Sequence, residues 1–331
     1  MNSQPTRLGY VNGSYVPETQ SGVSVFDYGL LYGQTVFEYT RTFNLKPFRL
    51  DKHIERIFNS MKYSGIDCGM SPDELTKATL ETIDKNLPTL ADGDEFTIWH
   101  NITAGLRDDY AQFLPENMSG PRILINVFPL SITRPWVWQQ QQEGASAVIT
   151  RQRSTPAQLL DPKVKNRSRL YYRIAEIEAA RIKPASIALL TDEDGYITEG
   201  TSSNFMIVKD GQLISPRPKN ILRGVTRGAL IEIAQSLDIP FIEDDIDKYD
   251  AITADEAFFC STSYIIMPVK ILDDHMIGDG QTPGGITTQL ADGFSELVEV
   301  DFMSQGRELT GLAEFYASSV QTPDLNMATN V

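Results

Sequence analysis

Three observations predict that this chain is an α/β protein organised as two domains. Its 331 residues are enough for two hydrophobic cores of ordinary size. Hydrophobic residues make up 41% and charged residues 22% of the chain, which is typical of a soluble globular protein. Short apolar runs bounded by turn residues alternate with segments of helical periodicity, which indicates strands and helices mixed along the chain.

The stretch 129–142 is the best candidate for a linker between the domains. It contains Pro129, Pro135 and a run of four glutamines, and it has no clear periodicity. We therefore predict a smaller N-terminal α/β domain over residues 1–129, a linker over 130–138 and a larger C-terminal domain over 139–331.

The N-terminal elements are predicted from turn signals and periodicity. Asn12-Gly13 separates two apolar runs, which predicts a β-hairpin. Further strands are predicted at 35–43, 47–50, 95–103 and 122–127, and helices at 51–64 and 73–86. In the first helix an apolar stripe forms the core face, whereas His53, Arg56 and Ser60 share a different face that need not be exposed to solvent.

The C-terminal elements follow the linker. Strands are predicted at 145–151, 187–190, 205–208 and 257–260, and helices at about 168–182 and 226–237. Glu199 lies in a turn of small residues between the second and third of these strands, and Lys165 opens a helix-like segment. The sequence after about Met303 has weak structure signals.

Composition excludes several classes of function. A net charge of −15 argues against a nucleic-acid partner, because phosphate binding needs a basic face. Cys68 and Cys260 are far apart, which argues against a disulfide framework and favours a reducing compartment. No apolar run is long enough for a membrane span or a signal peptide, so we expect a cytoplasmic protein without a membrane partner. The histidines lack metal-ligand spacing, so no metal site is predicted.

Lys165 and Glu199 are the residues that most directly suggest a cofactor site. Pyridoxal phosphate needs a lysine for its Schiff base and an acid partner for its pyridine nitrogen. Taken alone, a loop lysine and a turn carboxylate in water are the commoner explanations. The surrounding motifs change that balance.

Several stretches, in order along residues 8–270, resemble motifs of the class IV aminotransferases, the fold-type IV pyridoxal phosphate enzymes. The N-terminal signature is similar to residues 25–38 (VFDYGLLYGQTVFE), and the phosphate-arginine helix to 53–60 (HIERIFNS). The segment that begins at Lys165, with Ala175, Glu178 and Ala179 downstream, is similar to the family's catalytic-lysine segment. The remaining similar stretches are 198–205 (TEGTSSNF), 221–227 (ILRGVTR) and 259–264 (FCSTSY).

The resemblance implies a fold-type IV architecture with pyridoxal phosphate in the cleft between the two domains. Lys165 would carry the cofactor as a Schiff base and move the substrate proton, and Glu199 would keep the pyridine nitrogen protonated. The phosphate would meet the charged fork of Arg56 and the amides of a helix N-terminus. The other implied cofactor contacts are Leu222, Gly224, Val225, Thr226, Ser261 and Thr262.

Substrate contacts are also implied by the resemblance. They are Phe37, Tyr39, Arg41, Arg107 and Ser263. For Arg107 a plain surface arginine is an equal alternative, and Tyr172 either hydrogen-bonds the cofactor or packs on its helix face. Ser168 stands where many members have asparagine, and Tyr39 replaces a usual glycine, which narrows the side-chain pocket or gives it a polar tip.

The function that the resemblance implies is transamination of a hydrophobic, in particular branched-chain, amino acid with 2-oxoglutarate. The partners would be an amino donor, a keto-acid acceptor and a second copy of the chain in a homodimer. Three alternatives remain open: a transaminase of D-amino acids or (R)-amines, a lyase of the aminodeoxychorismate type, and a non-catalytic relative.

Overall fold

The computed structural model describes residues 6–113, 120–133 and 136–319. The strands are β1 Leu8–Val11, β2 Ser14–Pro17, β3 Thr35–Phe43, β4 Lys46–Pro47, β5 Phe96–Thr103, β6 Arg122–Pro129, β7 Ala145–Ile149, β8 Ile187–Thr191, β9 Ile197–Gly200, β10 Asn204–Lys209, β11 Gln212–Pro216, β12 Phe241–Asp244, β13 Glu256–Ser261, β14 Ile265–Leu272 and β15 His275–Met276. The helices are α1 Tyr28–Tyr32, α2 Leu50–Ser64, α3 Pro72–Asn86, α4 Asp108–Ala111, α5 Leu130–Thr133, α6 Trp136–Glu143, α7 Leu170–Ile182, α8 Val225–Ser236, α9 Lys248–Ile252, α10 Gly285–Val298 and α11 Phe302–Ser319. Short 3₁₀ turns lie at Glu18–Gln20 and Leu87–Thr89.

The N-terminal sheet is antiparallel and has the strand order β2-β1-β6-β5-β3-β4. Its first hairpin turns at Asn12 and Gly13, which both have positive φ, as a tight two-residue turn requires. The helices α2 and α3 cover one face of this sheet, with Ile54 and Ile57 of α2 in the same buried cluster as Ile98 of β5. This sheet therefore has its own hydrophobic core.

The second sheet closes on itself. In the described part of the chain its order is β12-β11-β10-β13-β14-β7-β8-β9, and β15 extends from β14. Because β9 also pairs with β10, through Glu199 and Asn204, the strands from β10 to β9 form a ring. Side chains from every strand of this ring meet in one buried cluster, which includes Phe205, Phe259 and Met267.

The outside of the ring is covered by helices. Because side chains alternate along a strand, Met206 and Phe258 face the other way and pack against α8 and α10, with Leu230 and Phe294 among their neighbours. Phe43 at the end of β3 belongs to the same cluster, so it ties the first sheet to the second.

Most predicted elements are confirmed, with shifted ends. The hairpin, α2, α3, β3, β5 to β8, β10, β13, α7 and α8 all occur within a few residues of their predicted bounds. The predicted strand 47–50 is wrong beyond Pro47, because Leu50 already begins α2. The placement of Glu199 in a turn is also wrong, since the residue lies within β9.

Two segments with weak sequence signals are helical. The helices α5 and α6 occupy much of the stretch 129–142, and Val137 and Trp138 are buried. The helix α11 spans Met303 despite two glycines; a Cβ on Gly306 would lie 2.9 Å from Trp138, so the glycine allows close packing there. The division into domains 1–129 and 139–331 stays a prediction. No helix in the described ranges is long and apolar enough to cross a membrane.

Candidate active site

A cavity of about 260 Å³ lies where the two sheets approach each other. The N-terminal sheet contributes Phe37 and Tyr39 of β3 and Trp99 of β5 to its lining. The second sheet contributes Glu199 of β9 and Asn204 of β10. The remaining lining comes mainly from four segments, 160–176, 200–203, 222–226 and 260–263.

Lys165 lies on the wall of this cavity in an irregular segment, not at the start of a helix as predicted. α7 begins only at Leu170. The backbone around Lys165 is instead bonded to β3, because Phe37 donates its N–H to the Lys165 carbonyl at 2.9 Å. The N–H of Lys165 donates to Ser60 Oγ at 3.3 Å. These contacts fix the backbone at Lys165, and the Lys165 side chain lines the cavity.

The electrostatic surroundings of Lys165 favour a neutral amine. Burial lowers its pKa to about 7, and the positive charges of Arg56 and Arg169 act in the same direction against Glu38 and Glu199. The Nζ atom lies 4.9 Å from the centroid of the Phe37 ring. A lysine with this pKa has a substantial neutral fraction near pH 7, and only the neutral amine is a nucleophile or a base.

Glu199 is a buried carboxylate held by neutral donors. Its Oε1 accepts from Tyr172 Oη at 2.8 Å, and its Oε2 accepts from the Leu222 N–H at 2.9 Å and Asn204 Nδ2 at 3.1 Å. Burial raises the pKa of Glu199, although the Leu222 and Tyr172 hydrogen bonds and the charge of Lys165 oppose this. The carboxylate is thus fixed in position, and its direct contacts among the described residues are neutral groups.

Arg56 projects from α2 into the cavity and is paired with Glu38. Its Nε and Nη2 donate to the two oxygens of Glu38 at 2.6 and 2.7 Å, and Nη1 donates to the Arg223 carbonyl at 2.9 Å. His53 Nδ1 lies 2.7 Å from the same carboxylate. Burial would raise the pKa of Glu38, but Arg56 and His53 together hold it well below its ordinary value. His53 and Ser60 are buried and Arg56 lines the cavity, so the face of α2 that need not be exposed to solvent is indeed turned away from it.

Hydrogen-bond donors gather beside Arg56. Gly224 is the N-cap of α8, so the first amides of that helix, including those of Val225 and Thr226, lie at the cavity, and such a helix end attracts anions. Ser261 and Thr262 add hydroxyl groups from the end of β13. A Cβ at position 224 would collide with Asn204 Oδ1, which explains the glycine.

The opposite wall is apolar and aromatic. Tyr39 and Trp99 pack edge to face with ring centroids 4.9 Å apart. Phe37 and Ser263 also line the cavity, as does Tyr172, whose hydroxyl bonds Glu199. The structure therefore brings together, in one cavity, all the predicted cofactor contacts and three of the predicted substrate contacts.

Arg41 and Arg107 are the predicted substrate contacts that do not line the cavity of their own chain. Arg41 is fully buried, and its guanidinium donates to the Ser263 carbonyl at 3.1 Å and to Gln305 Oε1 of α11 at 2.6 Å. It supports the loop that carries Ser263. Arg107 has a side chain that is more than a third exposed, and it forms an ion pair with Asp109.

Sequence reasoning missed several lining residues. Arg167 and Arg169 line the cavity from the irregular segment between Lys165 and α7. The signal is the RSR tripeptide directly after the lysine segment, which composition alone interprets as a basic loop entering a helix. Trp99 and Asn204 were also missed, although Trp99 lies opposite Tyr39 in the pairing of β5 with β3. Among the described residues no group of His, Cys, Asp and Glu could hold a metal ion.

Comparisons with known proteins agree with this geometry. The family described as "Amino-transferase class IV" matches residues 35–272. The "Putative branched-chain-amino-acid aminotransferase" of Methanocaldococcus jannaschii is 34% identical over 87% of this chain and 95% of its own length. The D-alanine aminotransferase of Staphylococcus epidermidis is 29% identical over 88% of this chain and 97% of its own.

Solved structures give the same result for the fold. The branched-chain aminotransferase of Thermoproteus uzoniensis, solved with norvaline, superposes with a TM-score of 0.77 at 26% identity, covering 93% of this chain and 98% of the other. A further branched-chain amino acid aminotransferase, which superposes equally well, is complexed with N-(5'-phosphopyridoxyl)-L-glutamate. The architecture is therefore that of the fold-type IV aminotransferases, a family that depends on pyridoxal phosphate. This chain belongs to the class IV aminotransferases and is an aminotransferase enzyme.

Proposed function

We propose that the protein transfers the amino group of a hydrophobic, branched-chain amino acid to 2-oxoglutarate through pyridoxal phosphate bound at Lys165. The observation that carries the proposal is the joint presence, in one cavity, of the Lys165 amine, the buried Glu199 carboxylate and the donor-rich pocket at Arg56. The aromatic wall of Phe37, Tyr39 and Trp99 suits an apolar side chain.

The donor set fits the cofactor. A phosphate group needs charged and neutral donors, and Arg56, the α8 amides and the hydroxyls of Thr226 and Ser261 supply them. Glu199 offers a fixed carboxylate for a pyridinium cation. When bound, pyridoxal phosphate forms a Schiff base with lysine and withdraws electrons from the substrate Cα.

Lys165 would be the base that moves the proton. Its depressed pKa, about 7, leaves a neutral Nζ available near physiological pH. The Nζ atom would remove the proton from the substrate Cα and deliver it to C4′ of the cofactor. Arg56, oriented by Glu38, would hold the phosphate in place, while Tyr172 and the Leu222 amide would keep the Glu199 carboxylate oriented.

Transamination of D-amino acids is the second candidate. It is favoured by the relatives named D-alanine aminotransferase, of which the S. epidermidis protein aligns with 88% of this chain. Both candidates use the same Lys165 chemistry and differ in which face of the substrate is presented.

We also propose that the protein is a homodimer. Apolar side chains between Val23 and Tyr32 are exposed, among them Val25 at 63% and Leu30 at 60%. A second copy of the chain could cover this segment, as in the dimer that the family resemblance implies. The predicted cytoplasmic location and the two-domain division stay part of the same proposal.

A half-reaction assay tests the proposal. Protein supplied with pyridoxal phosphate should be yellow, and borohydride should bleach it and attach the cofactor to Lys165, which peptide mass spectrometry would locate. L-leucine, D-alanine and (R)-1-phenylethylamine are then added separately, and the change in absorbance identifies the accepted donor. Conversion by D-alanine but not by L-leucine would replace the first candidate with the second.

Lys165→Ala provides the mutational test, with Lys163→Ala as its matched control. Removing the base should lower turnover by about 10⁴-fold, at the upper end for acid–base catalysis. Lys163 lies two residues away and pairs with Asp161 at 2.9 Å, so its loss should leave turnover near wild type. A Lys165→Ala enzyme as fast as the wild type would disprove the assignment.

A further inference from the structure

Arg167 and Arg169 place two guanidinium groups around the aromatic wall of the cavity. The Arg167 Cζ lies 3.7 Å from the centroid of the Phe37 ring and 4.7 Å from that of Trp99. The Arg169 Cζ lies 5.4 Å from the Phe37 centroid. The Lys165 Nζ is 4.9 Å from the same centroid, so the amine and both guanidinium groups lie around one ring.

Neither arginine has a carboxylate partner within ion-pair distance among the described residues. Arg167 Nε donates to the neutral Asn101 Oδ1 at 2.8 Å, and Arg169 donates to the Thr201 carbonyl. Burial, followed by repulsion from Arg169, lowers the pKa of Arg167 to about 10. Two neighbouring cations without an ion-paired carboxylate are costly in a cavity, and a bound anion would relieve that cost.

These arginines are separate from the groups that would hold the cofactor phosphate. Arg56, the N-terminus of α8 and Ser261 form that pocket, and Arg56 is already paired with Glu38. Arg167 instead lies against Phe37 and Trp99, the wall assigned to the substrate side chain. Arg107, one of the implied substrate contacts, pairs with Asp109 and does not line this cavity in its own chain.

We infer that Arg167 and Arg169 form a binding site for the side-chain carboxylate of a dicarboxylic amino or keto acid. The inference rests on the proposed function and assigns the recognition of the acidic co-substrate. A carboxylate between two guanidinium forks receives charge-assisted hydrogen bonds, while an apolar side chain in the same place contacts the aromatic rings on which the arginines stack. One pocket would thus accept an acidic and an aliphatic side chain in turn.

Binding of unreactive substrate analogues to the holoenzyme tests the inference. Glutarate and 4-methylvalerate are the deamino analogues of glutamate and leucine, and each is titrated while the cofactor absorbance is followed. Arg167→Gln and Arg169→Gln should each weaken glutarate binding relative to 4-methylvalerate by roughly 10- to 100-fold, the loss expected for a hydrogen bond to a charged group. Arg167→Lys should restore part of the preference because it restores the charge.

Arg181→Gln is the matched control. Arg181 lies in the last turn of α7 at an exposed position, and its replacement removes one positive charge away from the cavity. The glutarate preference should not change. Two results would overturn the inference. One is a preference for glutarate over 4-methylvalerate that stays within about threefold of wild type in both cavity variants, well short of the loss expected for a charged hydrogen bond. The other is an equal loss of binding for both analogues.

A measurement on the wild type keeps the inference testable if a variant does not fold. Replacing the distal carboxylate of glutarate by an uncharged amide gives 4-carbamoylbutanoate, which should bind about tenfold more weakly because it lacks the charge-assisted hydrogen bonds. Equal binding would overturn the carboxylate site. Failure of the proposed function would appear differently, as a holoenzyme that no amino acid converts although the glutarate preference persists.

Discussion

The two buried carboxylates next to the cavity are held in opposite ways. Glu38 is matched by Arg56 and His53 from its own chain, and its pKa is held below the ordinary value. Glu199 is surrounded by neutral donors, and burial raises its pKa. A carboxylate that is ion-paired within the chain has a structural role. One that has only neutral partners can instead pair with the cationic group of a ligand.

Glu199→Gln gives the largest expected effect and tests the second half of this comparison. The amide cannot stabilise a pyridinium cation, so turnover should fall by roughly 10² to 10³-fold, as for other electrostatic groups in active sites. Cofactor binding should persist, which the absorbance spectrum would show.

The control for this variant is Glu193→Gln, which removes an exposed carboxylate from the turn before β9. It should leave turnover unchanged. If the Glu199→Gln enzyme also turned over at the wild-type rate, Glu199 would have no part in the chemistry. The two carboxylates would then not differ in function.

Glu38→Gln tests the first half through stability. The change leaves Arg56 and His53 without their buried partner, which should lower the free energy of unfolding by about 3 kcal/mol. Urea denaturation of the apoprotein would measure it. Glu55→Gln in α2 is the control; Glu55 is exposed and pairs with Lys52, so its loss should cost less than about 1 kcal/mol. Equal losses in the two variants would contradict a structural role for the Glu38 pair.

The pH dependence of stability gives the smallest effect and sharpens the comparison by its sign. The pKa of Glu38 in the folded protein is below its ordinary value of 4.5, so its contribution is complete above pH 4.5 and is lost as the pH falls. The pKa of Glu199 is raised, so its ionisation opposes folding as the pH rises above 4.5.

Urea denaturation of the apoprotein between about pH 3 and about pH 8 would separate these contributions, because the two shifts act on opposite sides of the ordinary pKa. The stability difference between the wild type and Glu38→Gln should shrink as the medium becomes more acidic. That between the wild type and Glu199→Gln should instead change above pH 4.5. The same pH dependence in both variants would show that the two carboxylates do not differ.

Local motifs were sufficient to predict much of the site. Lys165, Glu199, the start of α8 at 224–226 and the 261–263 loop each lie in short contiguous stretches, so their residue types identify them without knowledge of distant contacts. The structure brings these stretches to one cavity, together with Phe37 and Tyr39, which share a face of β3. Chemistry that depends on neighbouring residues is therefore visible in the sequence.

Arg41 shows why the remainder was not predictable. It shares its strand face with Phe37 and Tyr39, which favours a place in the cavity. Its guanidinium instead donates a hydrogen bond to Gln305 of α11. This helix was not predicted, because its glycines weaken the helical signal in the sequence. Arg167 and Arg169 were missed for a related reason, because the path of their segment depends on hydrogen bonds that Lys165 and Arg167 make to β3, far away in the sequence.

The pairing of Glu199 with Asn204 makes the acid part of the seam that closes the second sheet. A shift in its position would disturb the closed framework itself. Changes in substrate preference are therefore easier to accommodate on the facing wall, where Tyr39, Trp99 and Arg167 can vary while the seam stays intact. Under the proposed function, the wall at Glu199 would set the reaction, and the facing wall would select the substrate.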